Sequence, residues 1–156
     1  MIIGAKSWQA GWYSDKTIVV NTEDCFEDDV YGVASYGDSN ANNVIIKVES
    51  GTTDYYVTFN YRAGINSGTQ EAANQVTVTK TTGLPSNPSQ SYLEAKLSSG
   101  DSYTIASSNM QVSVRSINGD HAVVRISQNG SPCGATSAPT PCPGMYQCVI
   151  FFILTL

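Results

Sequence analysis

Residues 43–61 read NVIIKVESGTTDYYVTFNY. Val44, Ile46 and Val48 alternate with Ile45, Lys47 and Glu49, and beyond Gly51 the period resumes with Tyr55, Val57, Phe59 and Tyr61 on one face. Successive side chains of a strand point to opposite faces, so a period of two with one apolar set predicts half-buried strands. The intervening Ser50-Gly51-Thr52-Thr53-Asp54 provides turn residues, and the two runs predict an antiparallel hairpin.

The same signals recur outward from this hairpin. Residues 76–82, VTVTKTT, form a β-branched run and predict a strand. Pro85 and Pro88 make residues 83–91 a loop. Short strands are expected over 92–97, 102–105, 110–117 and 121–127. The last two are joined at Asn118-Gly119-Asp120, where Asn and Gly tolerate the positive φ of a tight hairpin. Upstream, residues 16–21 are a β-branched run. In residues 4–13, Ala5, Trp8 and Trp12 fall three and four apart, which predicts a short amphipathic helix burying two indoles. The fold expected is mainly β, an antiparallel β-sandwich-like module of seven or eight strands preceded by a short N-terminal helix.

Composition narrows the function. The 156 residues are one domain's length, and thirteen acids against eight bases give a net charge of −5, which disfavours nucleic acid as partner. Only 13% of residues are charged, while 19 Ser, 14 Thr and 11 Asn suit strands joined by frequent turns rather than salt-bridged helices. Four cysteines, Cys25, Cys133, Cys142 and Cys148, form no C-x-x-C pair. Their even number fits a disulfide-permissive compartment, with the pairing left open. Asn129-Gly130-Ser131 spells a lone glycosylation sequon.

At the start, Met1-Ile2-Ile3 is too short for the apolar core of a secretory signal. Residues 129–156 begin with a stretch carrying Pro132, Pro139, Pro141 and Pro143, expected as a linker, and end in the apolar run 149–156. Eight residues fall far short of the ~20 that span a bilayer as a helix, so this run is expected as a buried last strand or an aberrant gene end.

Chemistry-bearing arrangements are sparse. One histidine, His121, cannot supply a three-histidine zinc site, and no G-x-S-x-G, Walker or G-x-G-x-x-G string is present. Asp120 directly precedes His121, so their side chains are expected on opposite faces and no triad forms between them. Glu23, Asp24, Glu27, Asp28 and Asp29 crowd seven positions; their spacing differs from an EF-hand loop, and a solvated loop is expected rather than a calcium site. Glu49, Asp54, Glu71 and Glu94 are carboxylates that a glycosidase could pair, although nothing in their spacing favours it. No catalytic, metal or cofactor-binding residue is assigned.

Several strings carry more than composition. AKSWQAGWYSD at 5–15 resembles the segment after the Met-turn of gametolysin-type zinc metallopeptidases, particularly algal and diatom members. VTFNYRAGINS at 57–67 resembles a later strand and loop of that family. Residues 92–97, the turn at 100–103 and the final hairpin continue the likeness in order, over about residues 4–127.

The resemblance implies a secreted endopeptidase acting on extracellular or cell-wall glycoproteins. Its three zinc-ligating histidines and general-base glutamate would belong to an H-E-x-x-H-x-x-G-x-x-H helix, which no residue here matches. Zinc is therefore the full-length family's cofactor and none is expected in this chain. Residues 1–15 would be a remnant of the catalytic domain's last helix, with 16–128 as the appended β-rich module. Trp8 and Trp12 would pack on absent elements, so their face is expected to be solvent-exposed or loosely docked, and removal of residues 1–13 to cost little stability. Family members carry a cysteine ahead of Lys6-Ser7-Trp8-Gln9, where this chain has Ile2 and Ile3, which implies that Cys25 has lost its partner.

Overall fold

The computed structural model describes residues 4–51, 53–81 and 90–134. Along the chain run α1 (Gly4–Gln9), β1 (Thr17–Val20), β2 (Phe26–Tyr31), β3 (Ile45–Ser50), β4 (Thr53–Phe59), β5 (Val76–Thr81), β6 (Ser91–Leu97), β7 (Ser102–Ile105), β8 (Met110–Asn118) and β9 (His121–Gln128). The decisive hairpin forms as its alternation requires: Ile46 pairs with Val57, Val48 with Tyr55 and Ser50 with Thr53, and Gly51 takes φ 72° after β3. In the final hairpin Asn118 still pairs with His121, so the loop is Gly119-Asp120, with the positive φ supplied by Gly119 at 65°.

The strands form two sheets, one ordered β1-β3-β4-β5-β6 and the other β2-β9-β8-β7. Every pairing is antiparallel except β1 with β3, because the chain leaves the first sheet after Val20, forms β2 on the second, and returns beside β1. The core lies between the sheets, where Ile46, Val48, Val57, Phe59, Val76 and Val78 meet Val30, Val112, Val124 and Ile126. Each such side chain contributes about 1.5–3 kcal/mol relative to exposure. The architecture is the expected mainly β sandwich with a short N-terminal helix.

A second apolar layer covers the outer face of the first sheet. Ala5 packs there with Val33, Val44, Ile45 and Tyr56, and Trp8 joins them with its ring 5.6 Å from Tyr56. Gly4 permits this approach, since a Cβ there would lie 2.5 Å from Thr58 Cγ2. The expectation of an open helix face is thus corrected for Trp8: Tyr56, one residue out of phase with the inner-facing Tyr55 and Val57, provides the surface on which α1 docks.

Trp12 is exposed, as that expectation had it, and the helix expected over residues 4–13 to bury both indoles is corrected instead, since it ends at Gln9. Trp12 is 61% exposed and lies beyond the helix. Gly11 at φ 72° donates to Trp8 O (2.9 Å) and Trp12 donates to Ser7 O (2.9 Å), the hydrogen-bond pair of a Schellman cap. The cap ends the helix and rotates Trp12 away from the half-buried indole of Trp8.

The acidic stretch is also reassigned, because its second half is strand β2 rather than loop. β2 is an edge, paired only with β9, and charge on an edge strand discourages pairing with another chain. Just before it, Cys25 is disulfide-bonded to Cys133. Cys25 therefore has its partner within this chain, and residue 133 is tied to the sandwich across a sequence separation of 108. The loop expected at 83–91 lies mostly outside the described residues, as do residues 135–156 with the apolar run and Cys142 and Cys148. Among the described residues, no helix is long and apolar enough to cross a membrane.

Candidate functional site

Three polar clusters stand out, and the fold explains how each is assembled. On the outer face of the first sheet, register places Lys47 opposite Tyr56 and Glu49 opposite Asp54. Lys47 Nζ donates to Glu49 Oε1 at 2.7 Å and lies 3.1 Å from Asp54 Oδ2, with Trp8 as a lid 4.7 Å away. Burial disfavours the Lys47 charge, but its hydrogen bonds to Glu49 and Asp54 and their negative charges outweigh it and the ammonium pKa is raised. A protonated, doubly paired lysine fastens structure and is a poor nucleophile.

Of the four carboxylates that the sequence left open, only Glu49 and Asp54 come together, and Lys47 occupies both. Glu71 is held by Lys96 at 2.6 Å and Glu94 by Lys80 at 3.0 Å. Glu94 also accepts from the Tyr103 hydroxyl at 3.1 Å, and burial first, then that bond, pushes the phenol pKa up to about 12. None of these arrangements sets two free carboxyl groups across a gap for an acid and a base or nucleophile.

The second cluster surrounds His121 at the start of β9. Its Nδ1 lies 3.0 Å from Asp120 Oδ1, its Nε2 lies 4.0 Å from Asp29 Oδ1, and its ring sits 5.1 Å from that of Tyr31. The expectation that Asp120 and His121 diverge is corrected: Asp120 belongs to the two-residue loop, where strand alternation does not apply. The hydrogen bond from His121 holds the Asp120 carboxyl below the usual range. The other crowded acids disperse. Asp24 accepts from Asn21 N at 2.8 Å, Asp28 from Asn43 Nδ2 at 3.2 Å, and Glu27 lies 3.8 Å from Arg115. Among the described residues, no group of three or more His, Cys, Asp or Glu is placed to hold a metal ion.

The third cluster is a corner built by residues 20 or more apart. The Tyr13 ring meets the Tyr36 ring edge-on at 4.8 Å. Tyr36 donates its hydroxyl to Asp15 Oδ1 at 2.8 Å, and that bond raises its pKa. Lys16 Nζ lies 5.0 Å from the Tyr36 ring centroid and donates to Tyr36 O at 2.7 Å and Asp38 O at 3.0 Å. Trp12, the most exposed of the described aromatic residues, immediately precedes Tyr13. An open indole is a stacking face of the kind that receives a sugar ring, while the hydroxyl, carboxylate and ammonium groups of the corner are engaged with one another and with backbone carbonyls. The sequence revealed Trp12 but not this corner, because no local period links Asp15 to Tyr36.

A small recess with room for little more than one water, about 10 Å³, is lined by Gly4, Ser7, Tyr13, Val33, Val44 and Asn60 among others. Its walls are mostly apolar, and Tyr13 is their one titratable side chain. No family model matches the chain, and neither a curated protein nor a solved structure matches it.

Proposed function

We propose that this chain is a non-catalytic β-sandwich module of the kind appended to secreted gametolysin-type zinc endopeptidases, and that it holds extracellular or cell-wall glycoproteins by their glycans. The observation that carries the binding reading is Trp12, 61% exposed and immediately preceding Tyr13 of the Tyr13–Tyr36–Asp15–Lys16 corner in sequence. The cap that turns this indole outward makes its exposure a property of the backbone.

Support for the enzyme association comes from the strings at 5–15 and 57–67, whose residues have structural roles here. Trp8 docks the helix on Tyr56. Asn60 and Asn66, both buried, brace the following loop: Asn60 Nδ2 donates to Glu71 O and Ala72 O, and Asn66 Nδ2 to Asn60 Oδ1. In this reading such residues are scaffold, and zinc chemistry belongs to the histidine-bearing half of the family.

A glycan array tests the binding claim. Binding should fall at least tenfold in Trp12→Ala and weaken in Tyr36→Phe, with the unfolding midpoint unchanged in Trp12→Ala. Binding indifferent to Trp12 would refute the assignment. Stoichiometric zinc with chelator-sensitive casein hydrolysis by the purified chain would refute the non-catalytic reading.

A further inference from the structure

The sequon at the end of β9 lies outside the clusters described above, and its geometry differs from that of an incidental tripeptide. Asn129 takes φ 52° and Gly130 φ 70°, and Ser131 N donates to Gln128 O at 3.1 Å, which closes a tight left-handed turn. Asn129 N also donates to Asn109 O at 2.8 Å, fixing the turn to the loop before β8. The turn accounts for Asn and Gly, the residues that best tolerate positive φ. It makes no demand for a hydroxyl at the next position. Asn129 and Ser131 are both exposed, and among the described residues neither the Asn129 side-chain amide nor the Ser131 hydroxyl has a hydrogen-bond partner. Two residues further on, Cys133 forms its bond with Cys25, chemistry native to the compartments in which N-glycans are added.

We propose that Asn129 is an N-glycosylation site, with the exposed Asn129-Gly130-Ser131 turn beside the Cys25–Cys133 bridge as acceptor. The inference goes beyond glycan recognition and rests on the extracytoplasmic part of the preceding reading. The donor is a lipid-linked oligosaccharyl pyrophosphate. Asn129 Nδ2 forms a bond to the anomeric carbon, the bond from that carbon to the pyrophosphate oxygen breaks with its electron pair leaving on oxygen, and Nδ2 loses one proton. No oxidation or reduction occurs. Asn87-Pro88-Ser89 is no competitor, since proline in the middle position disqualifies an acceptor.

The location suits a modified protein. Asn129 follows the last residue of β9, whereas His121 opens that strand and Gly32, just ahead of the Tyr36 segment, donates to Asp120 O at its start. At roughly 3.4 Å per residue, the strand separates the two ends by about 24 Å. A glycan on Asn129 would therefore cover the disulfide end of the second sheet and leave the Trp12 corner open.

The test is secretion of the whole chain from a eukaryotic cell behind an added leader, followed by electrophoresis before and after amidase removal of N-glycans. The wild type should show a mobility shift that collapses on treatment. Asn129→Gln and Ser131→Ala should lose the shift, and Ser131→Thr should keep it. Wild-type protein secreted with the disulfide formed but without the shift would overturn the proposal and leave glycan recognition untouched. A shift that survives in Asn129→Gln would overturn it too. Failure of the glycan array with the Asn129 shift intact would strike the binding reading alone.

Discussion

Lys47 Nζ lies 4.7 Å from the centroid of the Trp8 ring, so the ammonium on β3 is capped by the indole of α1. The same ammonium contacts Glu49 and Asp54, and the same indole leans on Tyr56. Helix and sheet therefore share one network of charge, ring and apolar contact. A lysine only 7% exposed needs that network, because a buried charge without partners is costly.

Trp8→Ala should lower the unfolding free energy by about 2–3 kcal/mol, somewhat less than truncating a fully buried aromatic. Trp12→Ala should change it by less than about 0.5 kcal/mol, as expected for an exposed site. Urea denaturation of the two variants decides whether α1 belongs to this module. Equal, small effects would restore the picture of a loosely held remnant.

The Lys47 network also predicts a response to alkali. Its folded pKa is raised above the ordinary 10.5, so its contribution is whole below that value and is lost as pH rises through the folded pKa. The stability difference between wild type and Lys47→Met should be flat from about pH 7 to 9 and shrink above about 10.5. A difference that grows with pH would contradict the ion-pair account.

Tyr103 acts over a neighbouring window by a different route. Burial and its bond to Glu94 favour the neutral phenol, which ionises at 10.0 ordinarily and at about 12 here. Its contribution is present below pH 10 and falls as pH rises to about 12, because the unfolded chain ionises first. Tyr103→Phe should cost about 1 kcal/mol near neutrality, the worth of one hydrogen bond. It should also remove the highest-pH step from a phenolate absorbance titration. If that step persists, it belongs to another tyrosine.

How the sequence foretold these elements depends on the range of the forces involved. The hairpins around Gly51 and Gly119 were legible because alternation and turn chemistry are local, and here both agree with the burial. The outer layer was signalled more faintly: Val44-Ile45-Ile46 and Tyr55-Tyr56-Val57 put apolar groups on both faces of one sheet, the pattern of a sheet covered twice. Strand β2 was hidden, since Glu27, Asp28 and Asp29 disfavour strands except at an edge, and edges are set by distant pairing. Gly11 did announce the end of α1, and a reading that stopped the helix there would have released Trp12. The Asp15–Tyr36 corner had no local sign, because it depends on where two connecting segments come to rest.

The Cys25–Cys133 bond permits the last prediction. It joins the segment entering β2 to the segment leaving β9, two strands that are already paired, so it reinforces an existing register. Its main effect is expected on the unfolded chain, where the crosslink spans a separation of 108 residues. Closing a loop of that size corresponds to about 4–5 kcal/mol in the chain-entropy view, and measured losses on removing such bonds run at about 2–5 kcal/mol. Reduction, or Cys25→Ser with Cys133→Ser, should therefore lower the unfolding midpoint while the β-sheet circular dichroism signal survives at low temperature. Amide exchange should rise first at residues 129–134 and at Phe26, which pairs with Ile126 near the far end of β9. If exchange instead rises first around Tyr36 and Asp15, the bond is holding the binding corner, and the glycan affinity of the reduced protein should fall with it.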